Sequence, residues 1–197
     1  MAKGSDAMKT DLLSYVRRMF ALCGRMLVEH TISSRQIIPR LIMSRDGKSV
    51  YLERYYLLGH PSEEDQPDSP LTVVLHRFRM SDDDGALHNH PWQQSVSFII
   101  AGGYVETRGQ RNHSSLRVGR FEPGDFNLIG AEDFHSVALI EDDCWSIFIS
   151  GSKTGHSWGF IDIATGLYTP WREWIAKLRG IDPSTINDNI KRSEDIR

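Results

Sequence analysis

An all-β sandwich or barrel is the fold class this sequence predicts, on two observations. Roughly ten short segments rich in branched and aromatic residues follow one another between Arg35 and Phe160. Brief turns join them, with few helical intervals of the kind that repeated βαβ units require. Helices are expected only outside that stretch, one before it and a short one after it.

The N-terminal helix comes from Thr10 to Glu29. Leu12, Leu13, Val16, Met19, Phe20, Cys23, Met26 and Leu27 recur at helical spacing, with Lys9, Arg17, Arg18 and Arg25 on the other face. The apolar stripe is expected to close a flank of the main domain, and Gly24 to weaken the last turns. Ile37–Met43 and Ser49–Leu58 read as two strands joined at Asp46-Gly47, a pair that favours a tight hairpin. The proline- and charge-rich run from His60 to Pro70 reads as a loop before a strand at Leu71–Met80. Ser81 to Gly85 is an acidic turn, expected to be a solvated face because it lacks the spaced ligands of a calcium loop. Further strands are expected at Leu87–His90, Val96–Val105, Ser115–Arg120, Asp125–Ile129, His135–Ile140 and Cys144–Ser150, with a last hairpin through Phe160 and Tyr168. Pro170-Trp171 opens a short helix to Leu178, with a polar tail beyond it. The expected division is 1–34 helical extension, 35–169 barrel, and 170–197 helix and tail.

The 26 acidic and 23 basic residues give a formal net charge of −3, so no bulk attraction to nucleic acid or an anionic membrane is implied. Arg108, Arg111, Arg117 and Arg120 around His113 lack a base-reading framework. No apolar stretch approaches the ~20 residues that cross a bilayer, and two cysteines, Cys23 and Cys144, make no disulfide framework. A cytoplasmic protein with no nucleic-acid or membrane partner is the expectation.

The chemical signal is His88-Asn89-His90. Side chains two apart on a strand share a face, so both imidazoles can converge while Asn89 faces away. His135 begins a later strand, after the turn Glu122-Pro123-Gly124-Asp125, and can supply a third. Imidazoles suit iron, nickel, copper or zinc. A lone strand histidine is more often structural; the pair, the downstream Pro-Gly turn and the third histidine together support a metal site.

Around it, His76 shares a strand face with Val74 and Phe78 and is a candidate acid/base, with Arg77 and Arg79 facing the other way. Trp92 and Phe98 are candidate pocket walls, and Gln94 and Ser95 candidate donors to a bound water. Tyr104 and Glu106 can enter from one face as proton donor and acceptor. His156 is an outside candidate for gating. No Ser–His–acid spacing supports a nucleophilic triad, and Gly102-Gly103 lacks the pattern of a phosphate-cradling loop.

These motifs resemble the cupin superfamily. Its first motif places His-x-His after a glycine, as in Gly85-Ala86-Leu87-His88-Asn89-His90; its second is matched by Gly119, Pro123, Gly124 and His135. The segments after it are similar to small uncharacterised cupins with a His-x-His-Pro-Trp motif. The resemblance implies a double-stranded β-helix, the jelly-roll barrel, and a divalent metal held by His88, His90 and His135. Fe(II) is the expected ion, with Zn, Ni or Mn as alternatives. Where the superfamily places a glutamate ligand, this chain has Gln94 or Ser95, so the implied shell is three histidines plus water or substrate, as in thiol dioxygenases. It implies a dioxygenase acting on a small anionic metabolite, with Gln94, His76 and Tyr104 as catalytic candidates. A non-catalytic binding or sensory cupin, and a metal-dependent isomerase or lyase, are the alternatives. A homodimer is a further family-based expectation.

Overall fold

The structure, a computed structural model, describes residues 3–59, 69–82, 85–111, 113–155, 157–186 and 190–192. Residues 60–68 of the expected charged loop, Asp83-Asp84 of the acidic turn, and His156 lie outside these.

Helix α1 (Lys3–Arg35) precedes β1 (Arg40–Met43), β2 (Val50–Leu58), β3 (Thr72–Phe78), β4 (Ala86–His88), β5 (Gln94–Ala101) and β6 (Tyr104–Gln110). Then come β7 (His113–Phe121), β8 (Phe126–Gly130), β9 (Phe134–Leu139), β10 (Cys144–Ser150), β11 (Gly159–Asp162), β12 (Tyr168–Pro170), α2 (Trp171–Arg179) and β13 (Ile190–Arg192). The strands form two antiparallel sheets, ordered β13-β1-β2-β3-β10-β5-β8 and β12-β11-β4-β9-β6-β7. This is the two-sheet jelly roll of the cupin type, flanked by an N-terminal and a C-terminal helix. Among the described residues no helix is long and apolar enough to cross a membrane.

Alternation along the strands divides inside from outside. On the larger sheet Tyr55, Leu75, Ile100 and Trp145 pack outward with Val28 of α1. His76, Ser97, Ile99 and Ser146, all buried, lie on the inward face. Ile99, Tyr104, Val137 and Cys144 close one part of the interior, with Phe78 and Phe121 against them.

The helix departs from expectation in length and orientation. It runs through Gly24 to Arg35, and of the apolar stripe only part, Phe20 foremost, lies on the face that docks. Arg17 pairs with Asp125 at 3.1 Å and Arg25 with Asp143 at 2.7 Å. Between them Phe20 meets Phe98 edge-on at 6.1 Å, and Ala21, Val28 and Ile32 pack on the sheet. Gly24 is the point of closest approach: a Cβ there would lie 2.5 Å from Ile100 Cγ2. Phe20, Ala21, Gly24, Val28 and Ile32 with two arginines therefore set the docking face, while Val16, Leu22, Met26 and Leu27 stay more than half exposed.

The expected strand Val96–Val105 is two strands. Gly102 (φ 72°) and Gly103 (φ 145°) adopt left-handed backbone that L side chains rarely take, and a Cβ on Gly102 would collide with the Asp143 carbonyl. The chain turns there and delivers β6 to the second sheet. At the C-terminus, Gly180 ends α2 in the left-handed conformation (φ 63°). Beyond it the tail returns as β13, where Ile190 pairs with Ile42 and Arg192 with Arg40.

Candidate metal centre

His88 is the last residue of β4 and pairs directly with His135 of β9 across the antiparallel ladder. Directly opposed residues point to the same face, which aims both rings inward. His90 lies past the end of β4, so strand alternation does not place it as the sequence suggested. Asn89 does: its Nδ2 donates to the Ala131 carbonyl at 3.0 Å and its Oδ1 accepts from the Gly159 amide at 2.9 Å. With Asn89 fixed outward, its neighbours turn in.

The three rings converge, with centroids 5.1 Å apart for His88–His90, 4.7 Å for His88–His135 and 5.0 Å for His90–His135. One ligating nitrogen from each lies within 4.8 Å of the others, and the Nε2 atoms of His90 and His135 are 2.8 Å apart. Two nitrogens each about 2.1 Å from a common ion, at right angles, would be separated by about 3 Å. Donor type, spacing and burial therefore fit a divalent cation.

A carboxylate orients the cluster from behind. Glu106 Oε1 lies 2.6 Å from His135 Nδ1, and Arg108 grips the same carboxylate through Nε (3.0 Å) and Nη2 (3.1 Å). Asn127 Nδ2 donates to it at 2.9 Å. Burial works against the charged form of Glu106, but the bonds from His135, Arg108 and Asn127 outweigh it and hold the carboxyl down at about 2. An ionised carboxylate only accepts, so His135 carries its proton on Nδ1 and turns the Nε2 lone pair toward His90. The 2.8 Å contact then requires His90 Nε2 to be the donor, and for that nitrogen to ligate a cation His90 would have to carry its proton on Nδ1 instead.

His88 has a different support. Arg45 Nη2 approaches its Nδ1 at 3.2 Å and pairs with Asp82 at 2.8 Å. Asp82 in turn accepts from the Val137 amide at 2.9 Å, so this member of the acidic turn is a buried anchor and not a solvated face. Arg179 of α2 donates to the carbonyls of Ser44 and Arg45 and holds the turn that carries Arg45. Burial above all, then the neighbouring rings, keeps His88 and His90 well below the ordinary histidine pKa. Both are neutral and available as ligands.

Trp92 stacks on His90 at 5.5 Å and meets Phe148 at 5.4 Å, forming an aromatic wall beside the cluster. His76 stacks on the other side of that wall, 4.6 Å from Phe148, with its Nδ1 buried and without a hydrogen-bond partner. Ser95 is buried on the inward side of β5, its hydroxyl donating to the Ile129 carbonyl at 3.4 Å. The Tyr104 hydroxyl accepts from Asn127 at 3.0 Å, and burial pushes its pKa up, so it stays a phenol tied to Glu106 through Asn127.

Two candidates are not brought to the histidines. Gln94 is exposed at the start of β5, on the opposite parity to buried Ser95 and Ser97. Phe98 has that same outward parity and packs on Phe126 at 4.5 Å and on Phe20 of α1. Sequence reasoning also missed Arg45, Asp82, Arg108 and Asn127. Their signal is a pairing across strands: Arg108 sits opposite His135, two residues from Glu106, and Ser97 opposite Asn127.

No family model matches the sequence, and no curated protein matches it either. Among solved structures, the chain is similar to the hydroxypropylphosphonic acid epoxidase from S. wedmorenis, at 13% identity over 56% of this chain and 55% of that one, with a TM-score of 0.40. It is also similar to the DMSP lyase DddQ from Ruegeria pomeroyi DSS-3, at 18% identity over 55% and 51% of the two chains, with a TM-score of 0.38. A third is KdgF from Halomonas sp., at 15% identity over 53% of this chain and 82% of that one, with a TM-score of 0.35. The matched region spans about half the length of the epoxidase and lyase chains.

Proposed function

We propose that this chain is an iron-dependent dioxygenase of the small His-x-His-Pro-Trp cupins, acting on a small anionic metabolite. The observation that carries the reading is the convergence of His88, His90 and His135, with Glu106 fixing the tautomer of His135. An iron(II) ion held by three neutral imidazoles would supply dioxygen-dependent redox chemistry and keep its positive charge for an anionic substrate.

The remaining steps belong to the protein's own groups. His135 keeps its lone pair aimed inward because its Nδ1–H donates to the Glu106 carboxylate. Trp92 and Phe148 cover the cluster and keep bulk water from it. His76 is held neutral by burial, then by the facing charge of Arg54, and its buried Nδ1 has no partner of its own, which leaves it to exchange a hydrogen bond with a bound molecule. Tyr104 positions Asn127, and through it Glu106. This reading takes residues 35–169 as the part that carries the chemistry.

The test is anaerobic loading with Fe(II), followed by oxygen-electrode measurements across a pool of small carboxylates and thiols. Substrate-dependent oxygen uptake by the iron-loaded protein is the expected result. Conversion without oxygen uptake, sustained by zinc, would replace this reading with an isomerase or lyase. Tight binding with neither would replace it with a sensory or binding role.

A further inference from the structure

Opposite the histidine cluster, the larger sheet presents a row of inward polar residues. In the ladder Arg54 of β2 pairs with His76 of β3, and His76 with Ser146 of β10. Directly paired residues share a face, so all three look into the barrel. His76 is 3% and Ser146 0% exposed, and His76 Nδ1, Ser146 Oγ and Arg54 Nε are buried without hydrogen-bond partners. Among the described residues no carboxylate pairs with Arg54, whereas Arg77 and Arg79, which face the other way, reach Glu53 and Asp143. Arg40 sits directly opposite Arg54 on β1, and like charges so placed on neighbouring strands destabilise a sheet.

We propose that Arg54, with His76 and Ser146 beneath it, forms a subsite that binds the carboxylate of a small metabolite across the barrel from the three histidines. The row is joined to them through the aromatic wall, since Phe148 lies 4.6 Å from His76 and 6.1 Å from His90. Arg54 is the part-exposed member and so the point of entry. Its planar fork matches two carboxylate oxygens, and a neutral imidazole and a hydroxyl can complete the hydrogen bonds. Among the described residues the carboxylates beside the histidine cluster are already held, Glu106 by Arg108 and Asp82 by Arg45, which leaves the charge of Arg54 to an incoming anion.

This deepens the proposed function and rests on it only for the metal half of the pocket. The experiment is calorimetric titration of the full chain, cobalt(II)-loaded and metal-free, with propionate, propionamide and methylphosphonate, alongside cobalt content by elemental analysis. Wild type should bind propionate and not propionamide. Arg54→Met should weaken propionate about ten- to a hundredfold while cobalt content stays the same. Arg54→Lys keeps the charge without the fork and should lose about tenfold, which decides the matter if Arg54→Met does not fold. Equal propionate affinity in wild type and a folded Arg54 variant overturns the subsite, as does no propionate binding by the wild type in either form. Tighter binding of methylphosphonate than propionate overturns the carboxylate assignment. If wild type takes up no cobalt, the metal reading fails; Arg54-dependent propionate binding to the metal-free chain would still support the subsite.

Discussion

Glu106 Oε1 lies 2.6 Å from His135 Nδ1, and this contact determines which nitrogen of His135 is free to act as a ligand. Removing the charge while keeping the shape should loosen that control. Glu106→Gln is expected to weaken metal affinity about ten- to a hundredfold, read by competition with a chelating dye. Unchanged affinity in the folded variant would mean that the carboxylate does not orient the ligand.

Acid should act on two groups in separate windows. His76, His88 and His90 are held well below 6.5, chiefly by burial, so in the metal-free protein they are neutral when folded. Below about 6.5 the unfolded chain binds the extra protons, so stability rises with pH through this window and falls as pH drops. The expected loss is roughly 1 kcal/mol per pH unit for each histidine. Glu106, depressed to about 2, adds stability that is present above the ordinary carboxylate range and is lost as pH falls toward 2. Urea melts of metal-free protein at several pH values between about 8 and 4 check the first window; equal midpoints throughout would contradict it.

Gly24 separates propensity from packing. Alanine is favoured over glycine in a helix by about 1 kcal/mol, yet here its Cβ would lie 2.5 Å from Ile100 Cγ2. Gly24→Ala should therefore fail to stabilise the protein, and Gly24→Val should cost about 1–3 kcal/mol in denaturant melts. A Gly24→Val protein as stable as wild type would show that α1 does not dock as closely as described.

Trp92 offers an optical report of the centre. Its ring stacks 5.5 Å from that of His90, so loading with cobalt(II) should quench tryptophan fluorescence, and Trp92→Phe should remove most of the quench. Equal quenching in the variant would place the ion elsewhere.

The succession of strands was legible from local rules, and the meeting of His88 with His135 from the spacing of the motifs. Alternation and turn residues mark strands, and His88, His135 and the Pro-Gly turn mark where two strands meet. His90 converges for a reason that alternation does not contain, the anchoring of Asn89 to Ala131 and Gly159. The docking face of α1 was illegible because hydrophobicity argues for burial, whereas close helix–sheet approach favoured Gly24 and Ala21, and Arg17 and Arg25 found carboxylates far along the chain. Glu106 is legible as a pocket residue, but its hold on His135 depends on β6, of which the sequence marks only Tyr104 and Val105 as strand, at the end of the expected Val96–Val105. Gln94 and Phe98 were misplaced because a one-residue choice of parity moves a side chain from one face to the other.

Metal stoichiometry of the folded chain before and after His90→Ala, measured by elemental analysis after Fe(II) or Co(II) loading and desalting, bears on the central claim most directly. One ion per wild-type chain and almost none in a folded His90→Ala variant is the predicted result. A folded variant that retains the wild-type stoichiometry and affinity would contradict the three-histidine centre.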